Sequence, residues 1–176
     1  MKLNAKVLTF SGLFIALGLV LPQIFHLFGG TGPIFLPMHI PVLLAGFFIG
    51  AYPAALVGLL TVILSSVLTG MPAIPVVYFM IAEVTAYGFL SGFFYKKMKL
   101  NVYTALLLAM ILGRVILGAT VYILQPLLAL KLSPSVYMSN ALISGIPGII
   151  IQIVFIPAIV FALERFMVKS NEYRTS

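Results

Sequence analysis

The sequence predicts an all-α integral membrane protein, a six-transmembrane-helix bundle with both N and C termini cytoplasmic. Three observations carry that expectation. Hydrophobic residues make up 62% of the 176 and charged residues 7%, against roughly 25% charged in a soluble domain, so the chain lacks the polar groups to cover its own surface in water. The apolar residues gather into long runs, with a mean hydropathy of +1.23. Six crossings of about 20 residues need roughly 120 residues, which leaves little room for anything else, and residues 1–176 read as a single membrane domain. Third, the basic residues fall almost entirely on one side of these runs.

The spans lie at about 7–28, 40–50, 53–68, 76–95, 103–125 and 141–167. The first follows Met1-Lys2-Leu3-Asn4-Ala5-Lys6, which has the look of a signal peptide. It runs into Leu21-Pro22-Gln23-Ile24 instead of a small-residue cleavage site and is read as a span. A Gly/Pro-rich segment, Gly29-Gly30-Thr31-Gly32-Pro33, leads to the second. A tight turn at Gly50-Ala51-Tyr52-Pro53 separates the second from the third. Both are short for a hydrocarbon core of roughly 30 Å. They read either as tilted crossings or as a hairpin that stops short, and either version keeps the termini on one side.

Orientation follows from lysine and arginine. Lys2, Lys6, Lys96, Lys97, Lys99, Arg165, Lys169 and Arg174 share one side of the six-span arrangement, and only Lys131 lies on the other. The basic side is cytoplasmic by the positive-inside rule. The outer face is then made of the 29–40 segment, the turn Thr69-Gly70-Met71-Pro72-Ala73-Ile74-Pro75 and a 126–140 loop.

Charges within the spans are few. Glu83 sits in the fourth and Arg114 in the fifth. A charge at such depth costs roughly 2.5–3.5 kcal/mol on insertion scales, so it faces the bundle interior and a partner. At 1.5 Å per residue, Glu83 lies roughly 10 Å and Arg114 roughly 16 Å below the outer edge, near enough for an ion pair or a shared cavity. One reading is a buried pair that fixes two helices; the other is a site for a polar solute, and the two are compatible. Asn140 and Ser144 share a face at the start of the sixth span, and Gln152 continues it. Tyr87 lies one turn from Glu83, Tyr122 two turns from Arg114, and Gln125 ends that helix. His39, beside Met38, flanks the second span in a Gly/Pro/Met loop and reads equally as a loop hydrogen-bonder or a ligand contact. Tyr78, Tyr95 and Tyr103 read as interfacial anchors. Gly12 and Ala16, preceded by Ala5 and Thr9, form a small-residue face in the first span, suited to packing within the bundle or to docking a partner's helix.

Several chemistries are excluded or disfavoured. The sequence has no cysteine, hence no disulfide framework, thiolate metal site or thiol nucleophile. It has no G-x-x-x-x-G-K-[ST] and no H-E-x-x-H, and no G-x-S-x-G. Asp is absent, which disfavours a relay of many carboxylates. No enzyme and no cofactor are expected.

The stretch Phe35-Leu36-Pro37-Met38-His39-Ile40-Pro41 through Gly50, then Gly58-Leu59-Leu60-Thr61, Ser65-Ser66-Val67-Leu68-Thr69-Gly70-Met71-Pro72 and Glu83-Val84-Thr85-Ala86-Tyr87-Gly88-Phe89-Leu90-Ser91-Gly92 resemble one family. It is the substrate-binding (S) components of energy-coupling factor (ECF) transporters, which import vitamins in prokaryotes. The resemblance covers nearly the whole chain. It implies a multi-pass protein of a prokaryotic cell membrane that captures a water-soluble vitamin at high affinity in an outward cavity. The first outer loop would cap that cavity, with Met38 and His39 on the lid and Glu83, Tyr87, Arg114, Tyr122, Asn140 and Ser144 around the substrate. It implies partners: a membrane coupling subunit and two ATPase subunits, with Gly12 and Ala16 at the position of the family's Ala-x-x-x-Ala docking pattern. The Pro37-Met38-His39-Ile40-Pro41 segment is most similar to members that take pantothenate, whose carboxylate would suit Arg114. Pyridoxine, a thiamin precursor, folate and cobalamin stay open. The alternative is a self-sufficient secondary transporter of a small polar solute.

Overall fold

The computed structural model describes residues 5–27, 29, 31–128 and 133–175. Lys2, Phe28 and Lys131 lie outside them, as do the side chains of His26, Lys169 and Arg174. The described chain forms helices α1 (Ala5–Leu27), α2 (Gly32–Phe35), α3 (His39–Ile49), α4 (Ala51–Thr69), α5 (Val76–Gly92), α6 (Val102–Leu127), α7 (Pro134–Ser144) and α8 (Ile146–Thr175). A wide helical turn, Phe93–Lys97, extends α5. Six segments are long and apolar enough to cross a membrane: Ala5–Phe25, Gly32–Ile49, Ala51–Thr69, Val76–Lys97, Val102–Leu127 and Ile146–Phe166. The protein is a six-helix membrane bundle with no strand among the described residues.

The second span is a broken helix. Leu36 closes α2 in the left-handed region, at φ 50°, and the chain turns through Pro37 and Met38 before α3 starts at His39. The 11 residues of α3 reach only about 16 Å. Its shortness has a physical reason: His39 and seven of its other residues are buried, so α3 is enclosed by neighbouring helices and need not span lipid by itself. The third span is full length, since the 19 residues of α4 cover about 28 Å. The turn between α3 and α4 narrows to Gly50, whose φ of 86° and ψ of 176° suit a residue without Cβ. Tyr52 and Pro53 already lie in the first turn of α4.

The sixth span differs most from expectation. Residues 141–167 are not one helix, because the chain breaks at Gly145 between α7 and α8. Pro147 follows in the first turn of α8, where the missing N–H and the ring suit a helix start and oppose continuation from α7. The 126–140 segment is correspondingly not all loop: α6 runs to Leu127, and α7 begins at Pro134.

Close backbone contact holds the centre together. A Cβ on Gly88 would lie 2.2 Å from the Ala54 carbonyl oxygen, and one on Gly92 would lie 2.4 Å from the Ala51 nitrogen. A Cβ on Gly58 would lie 2.6 Å from the Val84 oxygen. Gly88 and Gly92, one turn apart on α5, therefore seat α4 directly against it, as small-xxx-small pairs do in lipid. Gly46 brings α3 against Ser91 and Gly92 in the same way. One core cluster joins Phe14 of α1, Val42 to Ala45 of α3, Val57 of α4, Val84 of α5, Leu106 of α6 and Ile156 of α8. Leu13, Leu17, Ile111, Val115, Ile150 and Val154 are exposed, as expected of residues facing lipid tails.

The start of α1 (Lys6), the end of α3 (Ile49), the turn that extends α5 (Lys96) and the second half of α8 (Glu164) meet around one cavity. Pro22, Gly32, Met71 and Asn140 meet around another. The helices thus alternate in direction, and the bundle has a lysine-bearing end and an opposite end.

Candidate solute-binding cavity

At that opposite end lies a cavity of about 500 Å³, within the roughly 300–1,000 Å³ usual for small-molecule sites. Its walls are largely apolar: Pro22 of α1, Leu36 and Pro37 between α2 and α3, Met71 to Ala73 after α4, Val76 and Met80 of α5, Leu117 of α6 and Val136 of α7. The turn after α4 is tied back onto its helix. Ser65 donates to the Met71 carbonyl at 2.7 Å and Ser66 to that of Pro72 at 3.0 Å.

The polar groups converge on Glu83. Arg114 Nη1 lies 3.0 Å from Glu83 Oε1, and His39 Nε2 lies 3.6 Å from Oε2. The Tyr87 hydroxyl donates to Oε1 at 3.0 Å. Glu83 and His39 are each 2% exposed. The His39 ring meets Tyr87 edge-on at 5.2 Å. This satisfies the requirement that a buried charge be paired, yet polar atoms are left over. Arg114 Nε and Nη2 and both nitrogens of His39 have no hydrogen-bond partner. Arg114 and His39 line the cavity, so the site offers unused donors beside a carboxylate that is already engaged.

Six of the expected residues line the cavity together: Met38, His39, Glu83, Arg114, Asn140 and Ser144. Ser144 donates to the Asn140 carbonyl at 2.6 Å, which leaves its oxygen free to accept. Tyr87 does not line the cavity but lies behind Glu83 and holds it. Two expectations need correction. His39 and Met38 are not on a lid. His39 is the first residue of α3 and, like Met38, is buried in the wall, because the turn at Leu36–Met38 points them inward. Tyr122 does not line the cavity and is 57% exposed. Eight helical residues from Arg114 give about 80° of rotation beyond two full turns, whereas seven return nearly to the same face. Val121, at seven, is the buried neighbour. Tyr122→Ala is therefore expected to leave solute affinity unchanged within about twofold, as an exposed side chain away from the site should, checked by equilibrium binding of the purified protein.

Tyr137 was missed. It lines the cavity and stacks edge-on against Phe79 at 5.3 Å. Burial, with a contribution from the Glu83 charge, raises its hydroxyl to about 12, so it remains a neutral group at physiological pH. Its spacing carries the signal: Tyr137, Asn140 and Ser144 follow the i, i+3, i+7 pattern of one helix face.

Gly12 and Ala16 are exposed on α1, and a Cβ on Gly12 would meet nothing within 4 Å. The small-residue face of α1 thus takes no part in packing the described bundle.

A multi-pass membrane bundle with a solute-sized, mostly apolar cavity and a buried polar cluster on its wall has an architecture suited to a transport or receptor protein. The family model of the ECF transporter substrate-specific component matches residues 6–160, and the chain belongs to that family. This is a family of transporter components, not of enzymes. No curated protein and no solved structure matches the chain.

Proposed function

We propose that the protein captures a small water-soluble vitamin in the cavity around Glu83, Arg114 and His39. Pantothenate is the first candidate. The observation that carries this is the pair of unpartnered Arg114 nitrogens at a cavity wall, a fixed fork suited to a carboxylate or carbonyl oxygen. Tyr137, Asn140 and Ser144 on α7 supply further polar groups to the same cavity. The apolar remainder suits a compact aliphatic body, and a cavity of about 500 Å³ favours the small vitamins over folate and cobalamin.

The lysine-bearing end is the cytoplasmic end of a prokaryotic cell membrane in this reading, and the cavity opens outward. As expected of an ECF substrate-specific component, energy comes from separate coupling and ATPase subunits, and the exposed Gly12/Ala16 face of α1 docks the coupling subunit. Mass spectrometry of small molecules released from the detergent-purified protein tests the ligand, with pantothenate expected. A different vitamin displaces that choice, and a protein that retains and binds none of them overturns the capture role. Docking is tested by Gly12→Leu and Ala16→Leu, which add bulk on the exposed face of α1. Ligand binding is expected to stay within about twofold while coupled uptake falls at least roughly tenfold, since bulk blocks close helix approach. Uptake by the chain alone, dissipated by collapsing the proton gradient, would instead mark a secondary transporter.

A further inference from the structure

The second cavity, of about 230 Å³, lies at the lysine-bearing end among Lys6, Phe10, Phe48, Ile49, Lys96 and Glu164. Its charges do not cancel. Two ammonium groups face one carboxylate, and that carboxylate accepts a hydrogen bond from the Tyr95 hydroxyl. Neither lysine forms an ion pair with a carboxylate within 4.0 Å among the described residues. Its level is fixed by the ends of four spans: Lys6 is the second residue of Ala5–Phe25, Ile49 ends Gly32–Ile49, Lys96 is next to last in Val76–Lys97, and Glu164 is third from last in Ile146–Phe166. The cavity therefore lies at the level where four spans end, and both ammonium groups and phenylalanine rings line it.

We propose that this cavity binds the phosphodiester headgroup of one anionic phospholipid. The lysines hold the phosphate, whose single negative charge balances the net positive charge of the three side chains. The glycerol backbone and first methylenes lie against Phe10 and Phe48. A basic residue near an anionic membrane contributes about 1 kcal/mol, and that general attraction is shared by Lys97 and Lys99, which do not line the cavity. What distinguishes Lys6 and Lys96 is convergence on one cavity lined by both charged and apolar side chains.

The test is titration of the full-length protein in neutral detergent with phosphatidylglycerol, phosphatidylcholine or inorganic phosphate, read by native mass spectrometry and thermal unfolding. One tightly retained phosphatidylglycerol and a raised unfolding midpoint are expected, with little effect of phosphatidylcholine. Lys6→Gln with Lys96→Gln should weaken retention by roughly tenfold or more, since each removes a charge-assisted contact to the phosphate. Lys97→Gln with Lys99→Gln removes the same charge outside the cavity and should change retention less than about twofold. Glu164→Gln removes the competing carboxylate and should strengthen retention, a gain that cannot arise from misfolding. Equal loss in the two lysine pairs, equal retention of both lipids, or weaker retention in Glu164→Gln overturns the proposal. Saturation of the whole effect by inorganic phosphate also overturns it, since the site would then take a free anion rather than a lipid.

Discussion

Arg114→Ala is expected to abolish detectable high-affinity vitamin binding while the six spans still insert. The guanidinium carries the unpartnered donors of the cavity, and truncating one member of a buried charged contact costs about 2–5 kcal/mol, or roughly 300-fold in affinity near the middle of that range. The same substitution strips Glu83 of its closest counter-charge, at 3.0 Å. Breaking a buried ion pair from one side destabilises by about 3–5 kcal/mol, because the surviving charge stays buried. Glu83→Gln should cost a comparable amount by stranding Arg114 and loosening both Tyr87 and His39. Combining Glu83→Gln with Arg114→Met removes both charges, and the double variant should unfold at a higher temperature than either single while still failing to bind vitamin. A thermal unfolding series in one detergent, with ligand binding measured in parallel, separates the two roles. Additive losses in the double variant would show that the pair is not energetically coupled. Undiminished vitamin binding by Arg114→Ala would remove that residue from the capture site.

Gly88→Ala is expected to prevent accumulation of folded protein, although it adds one methyl group. That carbon would sit 2.2 Å from the Ala54 carbonyl oxygen and 2.6 Å from its carbon. Both are backbone atoms that cannot rotate away as a side chain can. Relief requires α4 and α5 to separate, and that is the most extensive helix pairing in the bundle. Overpacking of this kind costs about 1–3 kcal/mol or more. It also displaces Glu83, which lies on α5 little more than one turn from Gly88. Gly12→Ala makes the comparison, since its methyl meets nothing within 4 Å and alanine is the better helix former by about 1 kcal/mol. Detergent-extracted yield and unfolding midpoint should fall sharply for Gly88→Ala and hold for Gly12→Ala. Equal behaviour of the two variants would contradict the close approach of α4 and α5.

The spans and the Glu83–Arg114 contact were legible for the same reason: a charge inside an apolar run is costly enough to demand a partner, and rise per residue places the two at compatible depth. Residues whose direction depends on neighbours were harder to read. His39 reaches Glu83 only because α2 closes at Leu36 and the chain turns through Pro37 and Met38, and no local pattern gives that angle. The break at Gly145 had its marks in Gly145 and Pro147, but unbroken hydropathy from 141 onward outweighed them, and α7 with Tyr137 was lost. Spacing alone made Gly12/Ala16 and Gly88/Gly92 equally good packing motifs. Only the partner backbone distinguishes them, and α4 lies against the second pair, leaving the first facing outward.

Electroneutrality of the buried cluster sets a condition on what can be carried. Glu83 and Arg114 already cancel, so a vitamin anion entering beside them adds an uncompensated charge to a nearly dry space. It can sit against the Arg114 nitrogens that Glu83 leaves free, but it is accommodated more easily with a proton, and that route strengthens as the medium becomes more acidic. A neutral vitamin meets no such condition. Affinity that rises as pH falls would accompany an acid such as pantothenate, and affinity indifferent to pH would accompany an uncharged solute, so acidity can sort the candidate cargoes before any of them is seen bound.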